Sequence, residues 1–363
     1  MSLMPAWSES AEPHRLSYRQ RCERGSQGCG TTTVPTRENA HDPDPHDPDL
    51  HDPGTCDGGA SVTARSPAYD EPARERALRS WSAKLVELWR ARELLVQLVK
   101  KELKVRYKNS TLGFVWSMLT PVLMTAVFTF VFTLIVGIGV QDFPAFFVSG
   151  YLLWQFFQNS CQGAIHSIVG NSDLVKKVYF PREVLPLSHV LAQLVHLLLA
   201  LVVFSPYLVW TRGTGVLTFL PVTLAAIAVL TIFTSGAAMW FAGVNVVFRD
   251  LQELFVVIFQ VWFYATPVIY PLTLVQEVLP DRYSWIATAL GFNPMTWFVE
   301  VVRHSLYGPV SAIARGGLII PVADAPGMPA IGHLGLAAGW AAVSFVIGYT
   351  VFLRRARTFA KEV

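Results

Sequence analysis

The sequence predicts an all-α membrane protein. An N-terminal amphipathic helix lies at the membrane surface, six transmembrane helices follow, and short outer helices precede the last span. Three observations carry this expectation. Residues 143–170, 184–211 and 213–248 contain no Asp, Glu, Lys or Arg. The 363-residue chain is 52% hydrophobic and only 15% charged, where a soluble domain averages about 25% charged residues. The charges that remain gather in short islands. Chief among these is NSDLVKKVYFPRE at residues 171–183, whose Asp173, Lys176, Lys177, Arg182 and Glu183 cannot lie in hydrocarbon. That island must be a loop on one face of the membrane.

Residues 1–80 are polar and rich in Pro, Gly, Asp and His. They lack hydrophobic periodicity, so a disordered cytoplasmic tail is expected. A small repeat, HDPDP–HDPDL–HDPGT, runs from His41 to Thr55; its prolines oppose a compact metal site. Cys22, Cys29, Cys56 and Cys161 match neither a zinc-ligand spacing nor a disulfide framework. No short apolar core follows a basic start, so the first internal span is expected to direct insertion.

From residue 81 to 108 the pattern becomes helical. Leu85, Leu88, Trp89, Leu95, Leu98 and Val99 recur at three- and four-residue steps. Lys100, Lys101, Lys104, Arg106 and Lys108 crowd the C-terminal half, as in a helix lying with its apolar face in the acyl boundary. Residues 109–363 then form a six-span membrane domain. A helix needs about 20 apolar residues to cross the hydrocarbon, which places spans within 110–138, 145–170, 184–210, 216–247, 254–275 and 334–353. The uncharged stretch 213–248 is read as one span, because two helices and a turn need more than about 40 residues. Lys and Arg near the span ends set the orientation. The 100–108 cluster, the island, Arg249, Arg354, Arg355, Arg357 and Lys361 share one face, so both termini and the island are cytoplasmic. Between the fifth and sixth spans, residues 285–292 and 295–307 are apolar pieces too short to cross. They are read as re-entrant or interfacial outer helices.

Several chemistries lack their residues. No G-x-x-x-x-G-K-[ST] sequence occurs, so the chain does not cradle a nucleotide phosphate by that device. No metal site is expected, and no basic stripe with interleaved aromatics points to nucleic acid. No Asp, Glu, Lys or Arg lies in the core of a predicted span, which argues against ion-coupled transport. His166, His189 and His196 stand in apolar runs; they either line a passage or hydrogen-bond between helices. Trp154, Phe156 and Phe157 cluster in the second span; Phe259, Trp262, Phe263, Tyr264 and Tyr270 cluster in the fifth. Such rings stack on sugar faces, or they anchor spans at the lipid interface.

The motifs KVRYKNSTLGFVWSMLTP (104–121), KKVYFPREVLPLS (176–188), FRDLQELF…FYATPVIYP (248–271) and FNPMTWFVEVVR (292–303) stand in one order. Together they resemble the permease subunit of polysaccharide-exporting ABC transporters, a family that includes exporters of O-antigen, capsule, teichoic acid and lipid-linked galactan. The resemblance covers about residues 82–363 and leaves the tail outside. It implies a homodimer in the bacterial cytoplasmic membrane, joined to two copies of a separate ATPase subunit that binds ATP and Mg, with no cofactor in this chain.

The resemblance makes the island a cytoplasmic coupling helix. Asp173, Lys176, Lys177, Tyr179, Phe180, Pro181, Arg182 and Glu183 would engage the ATPase, with Arg249 and Asp250 as a smaller contact. A plain positive-inside loop explains the same basic residues. The implied substrate is a polyprenyl-diphosphate-linked glycan. Lys104, Arg106 and Lys108 suit its phosphate oxygens, and equally suit anionic membrane lipids. The fifth-span residues Phe259, Trp262, Phe263, Tyr264 and Tyr270 would line the glycan passage. An Ala-, Arg- and Gly-leaning composition points to a GC-rich source and a galactan-type polymer. Two other readings stand beside this one. A membrane glycosyltransferase or polymerase would want surface carboxylates, yet Asp142 is alone between the first two spans. A secondary carrier would run on an ion gradient.

Overall fold

The computed structural model describes residues 81–107, 113–137, 139–172, 174, 180–248, 250–278, 281–315 and 318–356. The expected tail 1–80 lies outside the described residues, as do Lys108, Asp173, Lys176, Lys177, Tyr179 and Arg249.

Helices α1 (Trp81–Arg90) and α2 (Arg92–Tyr107) form one nearly continuous rod. The backbone bonds Ala91 N→Glu87 O and Leu95 N→Ala91 O, both 3.0 Å, run through the joint. Glu93 in the first turn of α2 and Lys104 and Arg106 in its last turn match the helix dipole. The face carrying Leu88, Leu94, Leu95 and Leu98, expected in the acyl boundary, packs instead on protein, against the ends of other helices. The apolar side chains left outward are Val86, Trp89, Val96 and Val105.

Helix α3 (Gly113–Thr129) continues into a π-helical turn, Phe130–Ile135. Helix α4 (Phe143–Ser167) begins with Pro144 in its first turn and lies at the centre of the packing. Helix α5 (Val184–Arg212) ends at Gly213, whose φ of 83° suits only glycine. Helix α6 (Leu220–Val247) is a single 28-residue helix, as the length argument requires. Helix α7 (Leu251–Tyr264) is followed by short helices α8 (Leu272–Val278), α9 (Ser284–Phe292) and α10 (Pro294–Leu306). The last helix is α11 (Ile331–Ala356).

Four described helices are long and apolar enough to cross a membrane: Ser117–Ile135, Val184–Arg212, Leu220–Val247 and Ile331–Ala356. The other two predicted spans differ from this set for separate reasons. Helix α4 has 25 residues, about 37 Å of helix, but Gln155, Gln158, Asn159, Gln162 and His166 dilute its hydropathy. Helix α7 has 14 residues, about 21 Å. It stops where Thr266 and Pro267 break the pattern; Pro267 has no N–H for a further helical bond.

The all-α expectation needs one correction. Strands β1 (Val310–Arg315) and β2 (Leu318–Ala323) form an antiparallel hairpin, Val310 pairing with Ala323 and Arg315 with Leu318. The signal was present in the sequence: Gly316–Gly317 joins two runs holding Val310, Ile313, Ile319, Ile320 and Val322.

Two hydrophobic cores result. The larger surrounds α4; the smaller joins α1–α2, the start of α5, and the ends of α6 and α11. Helices α6 and α11 meet at Gly236 and Gly348. A Cβ on Gly348 would stand 1.9 Å from the Gly236 carbonyl oxygen, so the backbones touch as only small residues allow. Ser344 Oγ donates to Phe233 O at 2.9 Å one turn away.

Candidate functional site

The described root of the island faces inward. Phe180 is half-buried and, like Leu353 and Ala356, packs against the smaller core. Arg182 Nη1 donates to the Ala356 carbonyl, a cation at a helix C-terminus, where the dipole favours it. Glu183 is 3% exposed, and its carboxylate acts electrostatically on Tyr349 together with Glu87. Asp250, by contrast, is exposed. The structure therefore gathers Phe180, Arg182 and Glu183 against α11, while Pro181 is half-buried.

Three polar contacts, a turn or less apart, fix the basic end of α2. Lys101 Nζ donates to Asn171 Oδ1 at 3.2 Å. Glu102 Oε2 lies 3.6 Å from His189 Nδ1. Arg106 Nη1 donates to Gln193 Oε1 at 3.1 Å. His189 also packs against Gly163, whose Cβ would lie 3.0 Å from its Nδ1. Lys104 stays exposed. Behind Arg106, Gln155, Asn159, Gln193 and His196 line a small notch between α4 and α5. His189 thus makes an interhelical contact, while His196 lines the notch, whose other walls are Leu152, Phe156, Leu197 and Ala200.

The fifth-span aromatics divide by face. Phe259 and Phe263 are buried, and Trp262 packs edge-on to Trp154 and Phe157 at 6.1 and 5.1 Å. Tyr264, 54% exposed, shares an outward stripe with Leu254, Val257 and Val261. Tyr270 is half-buried and donates its hydroxyl to Tyr264 O at 3.1 Å. Tyr264 is the most exposed member of the set.

Asn293 organises the break after α7, and the sequence reasoning missed it. Its Nδ2 donates to Ala265 O and to Thr266 Oγ1, both at 2.9 Å. Its Oδ1 accepts from Trp262 Nε1 at 2.9 Å and from Met295 N at 3.0 Å. All four bonding positions of the amide are filled. The available signal was Asn293–Pro294, an N-cap residue followed by a first-turn proline.

On α10, Arg303 is 1% exposed. It donates to Glu300 Oε1 at 3.2 Å and to Val268 O at 3.1 Å, and stacks 3.9 Å over Phe146. Gly150 makes room for it: a Cβ there would lie 2.8 Å from Nη2. Arg212 donates to Tyr307 O at 2.8 Å, lies 3.7 Å from Asp142 and stacks 4.4 Å over the Tyr307 ring. The Tyr307 hydroxyl donates to Gln141 O. Burial pushes this hydroxyl up to about 12 against the opposing pull of Arg212, so it keeps its proton. These contacts bind α10 to the start of α4 and the end of α5. No group of His, Cys, Asp or Glu with metal-holding geometry occurs among the described residues.

Comparison with known proteins bears on this arrangement. The family model described as ABC-2 type transporter matches residues 93–307. The chain is 34% identical over 245 residues to the O-antigen export system permease protein RfbA of Klebsiella pneumoniae, covering 63% of this chain and 88% of that protein. It is 36% identical over 225 residues to the O-antigen export system permease protein RfbA of Myxococcus xanthus, covering 61% and 83%. It is 23% identical over 218 residues to the polysialic acid transport protein KpsM of Escherichia coli, covering 58% and 79%.

Proposed function

The chain belongs to the ABC-2 type transporter family, and on that premise we propose that it is the permease subunit of an ATP-driven polysaccharide exporter of the cytoplasmic membrane. The observation that carries the reading is the match to export permeases over most of their length. The substrate is a glycan on a polyprenyl diphosphate, and two copies of the chain work with two copies of a separate ATPase. Six crossings put both termini in the cytoplasm. Helix α4, sheltered by protein, makes the second crossing. Helix α7 with the segment after it makes the fifth, where Asn293 and neighbouring helices take up the freed backbone groups.

Each part of the molecule has a task in this reading. ATP and Mg sit on the partner, since this sequence has no phosphate-binding loop. The island, with Asp173, Lys176, Lys177 and Tyr179, meets the ATPase; Arg249 and Asp250 form the smaller contact. Lys104, Arg106 and Lys108 attract the diphosphate at the inner surface, Lys104 being exposed and Arg106 tied to Gln193. The sugar chain passes the outward stripe of α7 at Tyr264. The outer helices α9 and α10, pinned by Arg303 and Arg212, shape the exit.

The test is reconstitution. The chain is co-expressed with its candidate ATPase and placed in proteoliposomes with defined lipid-linked glycans, a galactan among them. Translocation that requires ATP hydrolysis is the expected result. Sugar transfer by the purified chain without ATP would establish a transferase or polymerase instead. Uptake driven by an ion gradient alone would establish a secondary carrier.

A further inference from the structure

The island's root carries more than a loop needs. A positive-inside loop requires only exposed cations, yet Arg182 is drawn onto the last carbonyl of α11 and Glu183 is buried. Phe180 packs against the smaller core, which joins α2 and α11. These residues come from the segment that opens α5, but their partners lie on α11, 174 residues further along the chain for the Arg182 bond. Helix α11 is in turn fastened to α6 by the Gly236–Gly348 crossing and by the bond from Ser344 to Phe233. A displacement of the root therefore cannot move α5 alone; it loads α11 and, through α11, α6.

We infer that Arg182 is a positioning residue, with Phe180 and Glu183 beside it, that makes the island's root and the C-terminal end of α11 one transmission joint. The inference rests on the reading of the island as an ATPase-coupling element. It assigns α11 a part in coupling, and it separates this joint from the surface that meets the ATPase. The arrangement fits that role physically. A charge-assisted bond from Arg to a helix-end carbonyl is stronger than a neutral one. Part-buried at the edge of the smaller core, it is shielded from full exchange with water.

The experiment uses the complete transporter, this chain with its ATPase, in lipid nanodiscs and proteoliposomes. Three quantities are read: ATPase retention on the chain, glycan-dependent stimulation of ATP hydrolysis, and amide exchange in residues 350–356. Arg182→Ala is expected to keep ATPase retention within about twofold, to cut stimulation roughly tenfold, the order of one charge-assisted bond, and to raise exchange at the end of α11. Arg182→Lys still has a donor for the Ala356 carbonyl and restores much of the stimulation.

A second variant covers the case in which Arg182→Ala does not fold. In Arg182→Cys/Ala356→Cys, a short bifunctional thiol cross-linker replaces the bond covalently, and stimulation is expected to recover after cross-linking. Parallel loss of ATPase retention and stimulation in Arg182→Ala would make Arg182 a docking residue and overturn the joint. So would unchanged stimulation, or a cross-linked transporter that is dead. Failure of the wild-type chain to retain any ATPase would defeat the coupling reading itself. The amide-exchange difference would still report whether Arg182 holds the end of α11.

Discussion

Replacing Gly348 with Ala tests the close crossing of α6 and α11. The added Cβ would stand 1.9 Å from Gly236 O and 2.6 Å from Gly236 C. An ordinary C–H···O contact is about 3.3 Å, so the helices must part by about 1.4 Å at this level. Both contacts are backbone, so no side chain can rotate away. Overpacking of this kind costs about 1–3 kcal/mol. Separation also weakens the bond from Ser344 to Phe233 O, worth about 0.6 kcal/mol for an interhelical bond in a membrane. A total near 2–3 kcal/mol corresponds to a fall in Tm of roughly 5–10 °C for a domain of this size. The assay is thermal unfolding of the purified chain in nanodiscs, followed by tryptophan fluorescence. Gly335→Ala and Gly339→Ala, on the same helix with nothing within 4 Å of the added Cβ, are the controls. They should hold Tm or raise it, since Ala favours a helix over Gly by about 0.5–1 kcal/mol. If Gly348→Ala melts within about 1 °C of these controls, the argument that backbone contact fixes this crossing is wrong.

Two further outcomes follow from α10 and its N-cap residue. Asn293→Ala removes four hydrogen bonds at once; at about 0.6 kcal/mol each in a membrane setting, roughly 2 kcal/mol is lost, and Trp262 fluorescence should shift as its indole N–H loses its partner. A native emission spectrum and Tm in that variant would show that Asn293 does not hold the break. Burial lowers the His304 imidazole, with Glu300 and Asp324 pulling it up and His333 pushing it further down. The unfolded chain therefore takes up this proton first as pH falls. The contribution is complete above about pH 6.5 and declines as pH drops through that value. The Tm difference between pH 7.5 and pH 5.5 should shrink in His304→Gln, and an unchanged difference would remove His304 as its source.

The sequence was informative wherever period and charge decide the outcome. Helix α2 ends within its basic cluster, α6 is one helix, and the pieces 285–292 and 295–307 emerge as α9 and α10. It was less informative about which way a side chain turns. Leu95 and Leu98 belong to an apolar stripe that fits lipid or protein equally, and only the neighbouring helix ends show that protein covers it. Phe259 and Tyr264 are both aromatic, yet one is buried and the other outward. Arg182 reads from the sequence as one of the ATPase-coupling residues, and its backbone carbonyl partner at Ala356 leaves no trace in residue type. The hairpin was legible in Gly316–Gly317 but was masked by the helical weight of everything around it.

The polar seam of α4 also bears on how the chain is made. Its glutamines and Asn159, half-buried in the finished fold, are tolerable only once other helices pack beside them. As it leaves the ribosome, Phe143–Ser167 is a poor membrane anchor by itself, whereas Val184–Arg212 has a mean hydropathy of 2.2. On the proposed six-crossing topology, integration of the earlier segment is expected to depend on the later one: α4 settles when α5 arrives as the second arm of a hairpin, with the island as its turn. Glycosylation mapping of chains truncated before and after α5 would expose this order, a fully inserted α4 without α5 being the contrary result. The residues that let α4 serve as the centre of the finished protein thereby make its proposed crossing depend on the helix that follows it.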